Sequence, residues 1–338
     1  MLKISPSDRS QSHEMIDGFG RRITYARLSV TDRCDLRCRY CMAEQMQFLP
    51  KRDILTLEEM ADLSTMLIAR GVRKIRLTGG EPLVRKNVMD LVRALGRKLG
   101  GGLDEVVLTT NGTRLERFAG ELRDAGIRRI NVSLDSRRPE RFRHITRGGD
   151  VHQVLRGIDA ALTAGLAIKI NMVALAGINE DEIEEMLCWC AAMAIDLTLI
   201  ETMPLGEVEE DRTAHYLPLD KVKRRLEERF TLVPTTHRTG GPSRYYDVPE
   251  LRSRVGFITP LTNNFCDGCN RIRIAATGTV YGCLGHNQKV ELRDALRSRS
   301  GDAVDELLDQ LLAGKPRRHE FRIGGAPAVA RHMSVTGG

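Results

Sequence analysis

The chain has 338 residues, 41% hydrophobic and 29% charged, and 52 basic against 45 acidic side chains give a net charge of +7. That length suits one large barrel-like domain plus a smaller one, or two ordinary domains; the two signs are mixed, which excludes a polybasic nucleic-acid tail and suits an anionic ligand such as a nucleotide. No run approaches the roughly 18 apolar residues of a membrane span, the polar start lacks the apolar stretch of a signal peptide, and eight clustered cysteines point to metal or redox chemistry in a cytoplasmic protein rather than to disulfides.

In chain order, β-branched apolar runs alternate with helical patterns. The pattern predicts strands over 23–30, 74–79, 105–110, 129–135, 167–175 and 196–203. It predicts helices over roughly 57–70, 87–99, 114–125, 152–164, 181–194 and 219–230. Thr56 with Glu59 reads as a capping box, and Gly71 stands where a helix stop belongs. Alternating strands and helices argue a parallel sheet, either open and doubly wound or closed toward a barrel. Past residue 232 the sequence becomes turn-rich, then forms short strands among cysteines, so the expected division is 1–232 and 233–338.

Functional residues of parallel α/β folds collect at the C-terminal ends of the strands. Those ends read Cys34, "TGGEP" (78–82), "TTNG" (109–112), "SLD" (133–135) and "ETMP" (201–204). The cysteine loop and the glycine loop are therefore expected on one rim. Gly79 and Gly80 lack Cβ atoms, so their backbone can approach a ligand closely, and the exposed carbonyls, with Glu81 nearby, could receive an ammonium group.

Cys34-x3-Cys38-x2-Cys41 supplies three thiolates with no near fourth. A purely structural zinc site takes four protein ligands; an iron–sulfur cube takes thiolates, and three would leave one iron open. A zinc site completed by a distant histidine is the alternative. The second set is Cys266-x2-Cys269 with Cys283 and, three residues on, His286. Alone it reads as a three-cysteine, one-histidine zinc ribbon. Arg271 and Arg273 beside it share one face of a strand and suit a polyphosphate. Arg27, Arg76 and Lys169 each interrupt an apolar strand, where a buried charge calls for a nearby anion. Cys188 and Cys190, on an apolar helix, read as buried core thiols.

The first cysteine spacing, with Tyr40 before the last cysteine, resembles the signature of radical S-adenosylmethionine enzymes. That resemblance implies a 4Fe–4S cluster on Cys34, Cys38 and Cys41, its open iron chelated by S-adenosylmethionine, which yields a 5′-deoxyadenosyl radical. It also implies cofactor contacts from Tyr40, Gly80, Ser133 and Met203. With the second set included, the sequence resembles the molybdenum cofactor biosynthesis protein A family, the GTP 3′,8-cyclases, from about Gly20 to the final glycines. "RLSVTDRCDLRCRYCM", "KIRLTGGEPLVR", "LTTNG", "RRINVSLD" and "FCDGCNRIRI" carry that resemblance.

It implies an incomplete parallel βα (TIM-like) barrel with a smaller C-terminal domain. A second 4Fe–4S cluster would sit there on Cys266, Cys269 and Cys283, leaving His286 unligated. Implied GTP contacts are Arg27, Arg76, Thr109, Lys169, Arg271 and Arg273; implied assistants of the radical step are the terminal Gly337 and Gly338. The implied reaction takes hydrogen from ribose C3′ and joins C3′ to guanine C8. The implied partners are an electron donor and a downstream cyclic pyranopterin monophosphate synthase, with no nucleic acid and no membrane; a homodimer is compatible. Two departures stand out: Thr198 replaces the arginine of the family's "RFIE" stretch, and Leu284-Gly285 replaces a Leu-Phe pair. A peptide-modifying radical enzyme and a zinc-stabilised RNA-binding protein are the competing readings.

Overall fold

In the computed structural model, the described residues are 14–206, 214–322, 324 and 327–337. The first half alternates as the pattern predicts. Its strands are β1 (Tyr25–Ser29), β2 (Lys74–Thr78), β3 (Glu105–Thr110), β4 (Arg129–Ser133), β5 (Ala167–Ala174) and β6 (Asp196–Glu201). Its helices are α1 (Leu57–Ala69), α2 (Val88–Gly96), α3 (Leu115–Asp124), α4 (Pro139–Thr146), α5 (Val151–Thr163), α6 (Ile183–Ala192) and α7 (Leu219–Glu227). The capping box forms: the Thr56 hydroxyl accepts from Glu59 N, and the Glu59 carboxylate accepts from Thr56 N. Gly71 follows α1 with φ +96°. The unpredicted α4 is short and buries only Phe142, Ile145 and Thr146, too few positions for a helical period to show.

The second half contributes β7 (Val233–Pro234), β8 (Arg244–Val248), β9 (Ser253–Ile258), β10 (Arg271–Ile274), β11 (Thr279–Tyr281) and β12 (Lys289–Glu291). Helices α8 (Arg293–Arg297), α9 (Gly301–Ala313) and α10 (Met333–Thr336) follow. All strands lie in one sheet of order β12-β11-β10-β1-β2-β3-β4-β5-β6-β9-β8-β7. The run from β10 to β9 is parallel throughout, and antiparallel pairs finish both ends. The sheet is thus an open, incomplete parallel βα barrel, and strands from beyond residue 232 extend both of its edges.

Each strand has two unlike faces. Leu28, Leu77, Leu108, Val132, Ile170 and Leu199 are buried in the apolar core. The alternate positions are polar: Arg27 pairs with Arg76 and with Arg273, and Asn131 with Lys169. Parallel strands covered on both faces are normally apolar on both. Here the inner face carries charge, which marks a lumen built to hold something polar. No helix among the described residues is long and apolar enough to cross a membrane.

Candidate active site

The glycine loop is shaped by the cysteine loop. Gly79 has φ +147°, and a Cβ on Gly80 would stand 2.2 Å from the Arg33 carbonyl oxygen. Gly80 N donates to Thr31 O at 2.9 Å and Glu81 N to Arg33 O at 2.8 Å. The double glycine therefore lets two backbones pair where side chains would part them. The Glu81 carboxylate itself is turned inward. It is fully buried and accepts from Leu83 N, Thr110 Oγ1 and Asn111 N. It latches the "GGEP" loop to the "TTNG" loop; burial raises its carboxyl to about 7 despite these bonds.

One cavity at this rim is lined by Cys34, Cys38 and Cys41, by Tyr40, Gly80, Ser133 and Met203, and by Thr109. All three thiols of the first set and all four implied cofactor contacts meet there. Tyr40 donates to Asp135 Oδ2 at 2.7 Å, so Asp135 fixes the tyrosine. Burial lifts Cys34 to about 11 and Cys38 well above the usual thiol range, and the Cys41 and Cys34 thiols with the Asp135 carboxylate push Cys38 further. Three crowded, half-buried thiols become thiolates most readily with cations among them, and an iron–sulfur cube provides those. Asn111 Nδ2 donates to Cys34 Sγ at 3.7 Å, a neutral donor.

Below this rim lies the cationic lumen. Arg76 Nη1 donates to Thr109 Oγ1 at 2.7 Å, and its Nε donates to the Tyr25 hydroxyl. Burial would raise the Tyr25 phenol, yet Arg76, Arg27 and Lys74 bring it down to about 7. Arg27 falls to about 9 and Arg273 to about 10, chiefly by burial, with neighbouring arginines adding to the effect. Lys169 Nζ donates to the Tyr245 hydroxyl at 3.0 Å. The Nε atoms of Arg271 and Arg273 are buried without a partner among the described residues. So much buried positive charge fits a polyanion.

Thr198, the departure from the family pattern, pairs with Gly256 of β9. A Cβ on Gly256 would stand 2.9 Å from the Tyr245 ring, so Tyr245 and its hold on Lys169 depend on that glycine. Toward the N-terminal ends of the strands the lumen opens into a second cavity, lined in part by Tyr25, Lys74, Lys169, His237 and Arg254.

The second cysteine set lies at the opposite end of the lumen. Cys269 stands just before β10, whose Arg271 and Arg273 pair with Tyr25 and Arg27. Tyr281 pairs antiparallel with Arg273, which returns Cys283 to the level of Arg271. Burial raises Cys266, whereas Lys315, Arg271 and Arg273 overcome burial at Cys269 and hold it near 7. Among the described residues no three His, Cys, Asp or Glu side chains gather tightly enough for a single metal ion. A zinc ribbon needs that convergence, whereas a cube spreads its thiolates over several irons. His286 instead places Nε2 3.0 Å from the Arg318 carbonyl. Gly285, the second departure, leaves room for a ring: a Cβ there would stand 2.7 Å from Phe321.

The tail joins the two ends. Arg331 donates to the Cys283 carbonyl at 3.1 Å, Met333 and Ser334 line the first cavity, and Arg27 Nη2 donates to the Gly337 carbonyl at 3.5 Å. Gly338 lies outside the described residues. Lys315, Asp135, Tyr245 and Ser334 were missed from sequence; only "SLD" hinted at one of them, Asp135. Of the two expected core thiols, Cys190 is buried but Cys188 only half-buried, because residues two apart on a helix point to opposite sides.

The family model described as Radical SAM superfamily matches residues 28–190, and that described as Molybdenum Cofactor Synthesis C matches residues 195–321. The chain is 58% identical over 334 residues to a Sinorhizobium medicae protein named GTP 3′,8-cyclase, covering 97% of this chain and 96% of the relative. The chain belongs to the GTP 3′,8-cyclase family. A Brucella ovis relative of the same name is 56% identical over 97% of each chain. Among solved structures, Streptococcus suis SuiB bound to S-adenosylmethionine matches with TM-score 0.60 at 15% identity, over 93% of this chain and 77% of that one. At such identity the likeness shows the fold.

Proposed function

We infer that this chain is a GTP 3′,8-cyclase of molybdenum cofactor biosynthesis, converting GTP to (8S)-3′,8-cyclo-7,8-dihydroguanosine 5′-triphosphate. The observation that carries the reading is one cationic lumen with a three-cysteine set at each end. When bound, the reduced first cluster and S-adenosylmethionine supply the radical that takes hydrogen from ribose C3′. Cys34, Cys38 and Cys41 would hold that cluster, and Tyr40, Gly80, Ser133 and Met203 the cofactor. Cys266, Cys269 and Cys283 would hold the second cluster, near the purine.

The chain's own part is placement. Arg27, Arg76, Lys169, Arg271 and Arg273, with Thr109, would grip the nucleotide. With its ends fixed, C3′ stands near the first rim and C8 near C3′, so ring closure becomes a reaction between held partners. Gly337, and with it the terminal Gly338, would assist the radical step. In this reading residues 1–232 carry the first cluster with Arg27, Arg76, Thr109 and Lys169, and 233–338 the second cluster with Arg271 and Arg273. An electron donor, a downstream cyclic pyranopterin monophosphate synthase, a homodimer and a cytoplasmic location belong to the same proposal.

The test is anaerobic reconstitution with iron and sulfide counts, followed by assay of 5′-deoxyadenosine with and without GTP. About two cubes per chain and GTP-dependent 5′-deoxyadenosine support the reading. Zinc without sulfide overturns the cluster assignment, and release indifferent to GTP overturns the substrate.

A further inference from the structure

Lys315 lies two residues past α9 and is 2% exposed. Its Nζ donates to the Gly282 carbonyl at 2.6 Å and to Cys269 Sγ at 3.5 Å. The groups facing its charge include the Cys269 and Cys283 thiols and the Arg21 guanidinium, which is itself paired with Asp17. Gly282 gives its stem room, since a Cβ there would stand 3.3 Å from Lys315 Cβ and Cγ. A buried ammonium calls for an anion, and the candidates at hand are the thiolates of Cys269 and Cys283. We propose that Lys315 is a positioning residue that raises the reduction potential of the cluster held by Cys266, Cys269 and Cys283.

The inference rests on the two-cluster reading and goes beyond it. A reduced cluster carries one more negative charge, so a fixed cation and N–H donor at its sulfur favour reduction. At the first set Cys34 Sγ accepts from the neutral donors Leu36 N at 3.4 Å and Asn111 Nδ2 at 3.7 Å. Lys315 gives the second cluster a buried ammonium at its sulfur and thereby eases its reduction.

The experiment uses the full-length chain with Cys34, Cys38 and Cys41 changed to Ala, reconstituted so that only the second cluster reports. Lys315→Met and Lys315→Arg are compared with this parent by iron count and by EPR-monitored redox titration. Lys315→Met should lower the reduced-to-oxidised ratio at a fixed potential at least tenfold, about 59 mV in midpoint for a one-electron couple. Lys315→Arg should stay near the parent. Loss of the cluster in Lys315→Met alone also supports the proposal, as a demand for charge. An unchanged midpoint in Lys315→Met with full iron overturns it, as does loss of the cluster in both variants. A parent without any cluster overturns the assignment of Cys266, Cys269 and Cys283, and the proposal with it.

Discussion

Gly337→Ala tests whether the tail acts inside the lumen. Gly337 is buried, has φ +73°, and a Cβ there would stand 2.1 Å from Thr78 Cγ2 and 2.5 Å from Thr78 Oγ1. The left-handed backbone costs an ordinary residue roughly 1–2 kcal/mol, and forcing a methyl into filled space costs roughly 1–3 kcal/mol. Together these weaken docking by roughly 2–5 kcal/mol, or about one and a half to three and a half decades in the docked fraction. No cysteine or basic residue changes, so iron content and GTP affinity should stay near wild type. Single-turnover 5′-deoxyadenosine yield with GTP should collapse, because an interaction needed only for the chemical step lowers turnover and spares binding. Adding Thr78→Ala removes the two nearest atoms but leaves Cβ at 2.8 Å, so the double variant should recover part of the yield. Full yield in Gly337→Ala, beside a normal GTP isotherm, would refute a working role for the tail.

Arg271→Ala or Arg273→Ala removes a charge-assisted contact worth about 1.5–3 kcal/mol, so GTP should bind roughly ten- to a hundredfold more weakly with iron unchanged; calorimetry decides, and equal affinity in both would move the triphosphate elsewhere. Gly80→Ala sets a Cβ 2.2 Å from the Arg33 carbonyl, a backbone atom that cannot step aside; S-adenosylmethionine binding should be lost, and normal binding would show that the two loops have slack. Glu81 titrates near 7 in the folded protein against 4.5 for an ordinary glutamate, so the folded state holds a proton that the unfolded chain gives up. Its contribution is fully present below about pH 4.5 and is lost as pH rises through 7, by about 3 kcal/mol at most. Relative to Glu81→Gln, wild type should lose unfolding free energy between pH 5 and 8 in urea melts, and a constant difference would contradict the assignment.

What sequence showed of this molecule was what local pattern can carry. Strands β1–β6 emerged because strand and helix periods alternate, and the rim emerged because motifs sit at strand ends. Arg27, Arg76 and Lys169 were visible as charges interrupting apolar runs. Pairings across distance were not visible. β10 has four residues, and nothing in them says that they lie against β1; β9 gives no sign that it lies against β6. Lys315 reaches Cys269 from 46 residues away, and no local spacing encodes that.

The two departures from the family pattern illustrate the same limit from the other side. Read as letters, Thr198 is a lost cation and Gly285 a lost aromatic. In the fold each position is answered by a residue from another segment. Phe321 occupies the space above Gly285, so the aromatic contact is supplied from the tail side. Thr198 lies beside Gly256, whose missing side chain admits the Tyr245 ring, and Tyr245 holds Lys169 by its hydroxyl. The lumen loses one positive charge there but keeps a hydroxyl that orients another. A polyphosphate is held by the sum of such contacts, not by any one of them. The remaining arginines stand where β1, β2 and β10 run side by side, so the same three strands that separate the cysteine sets also carry the charge between them.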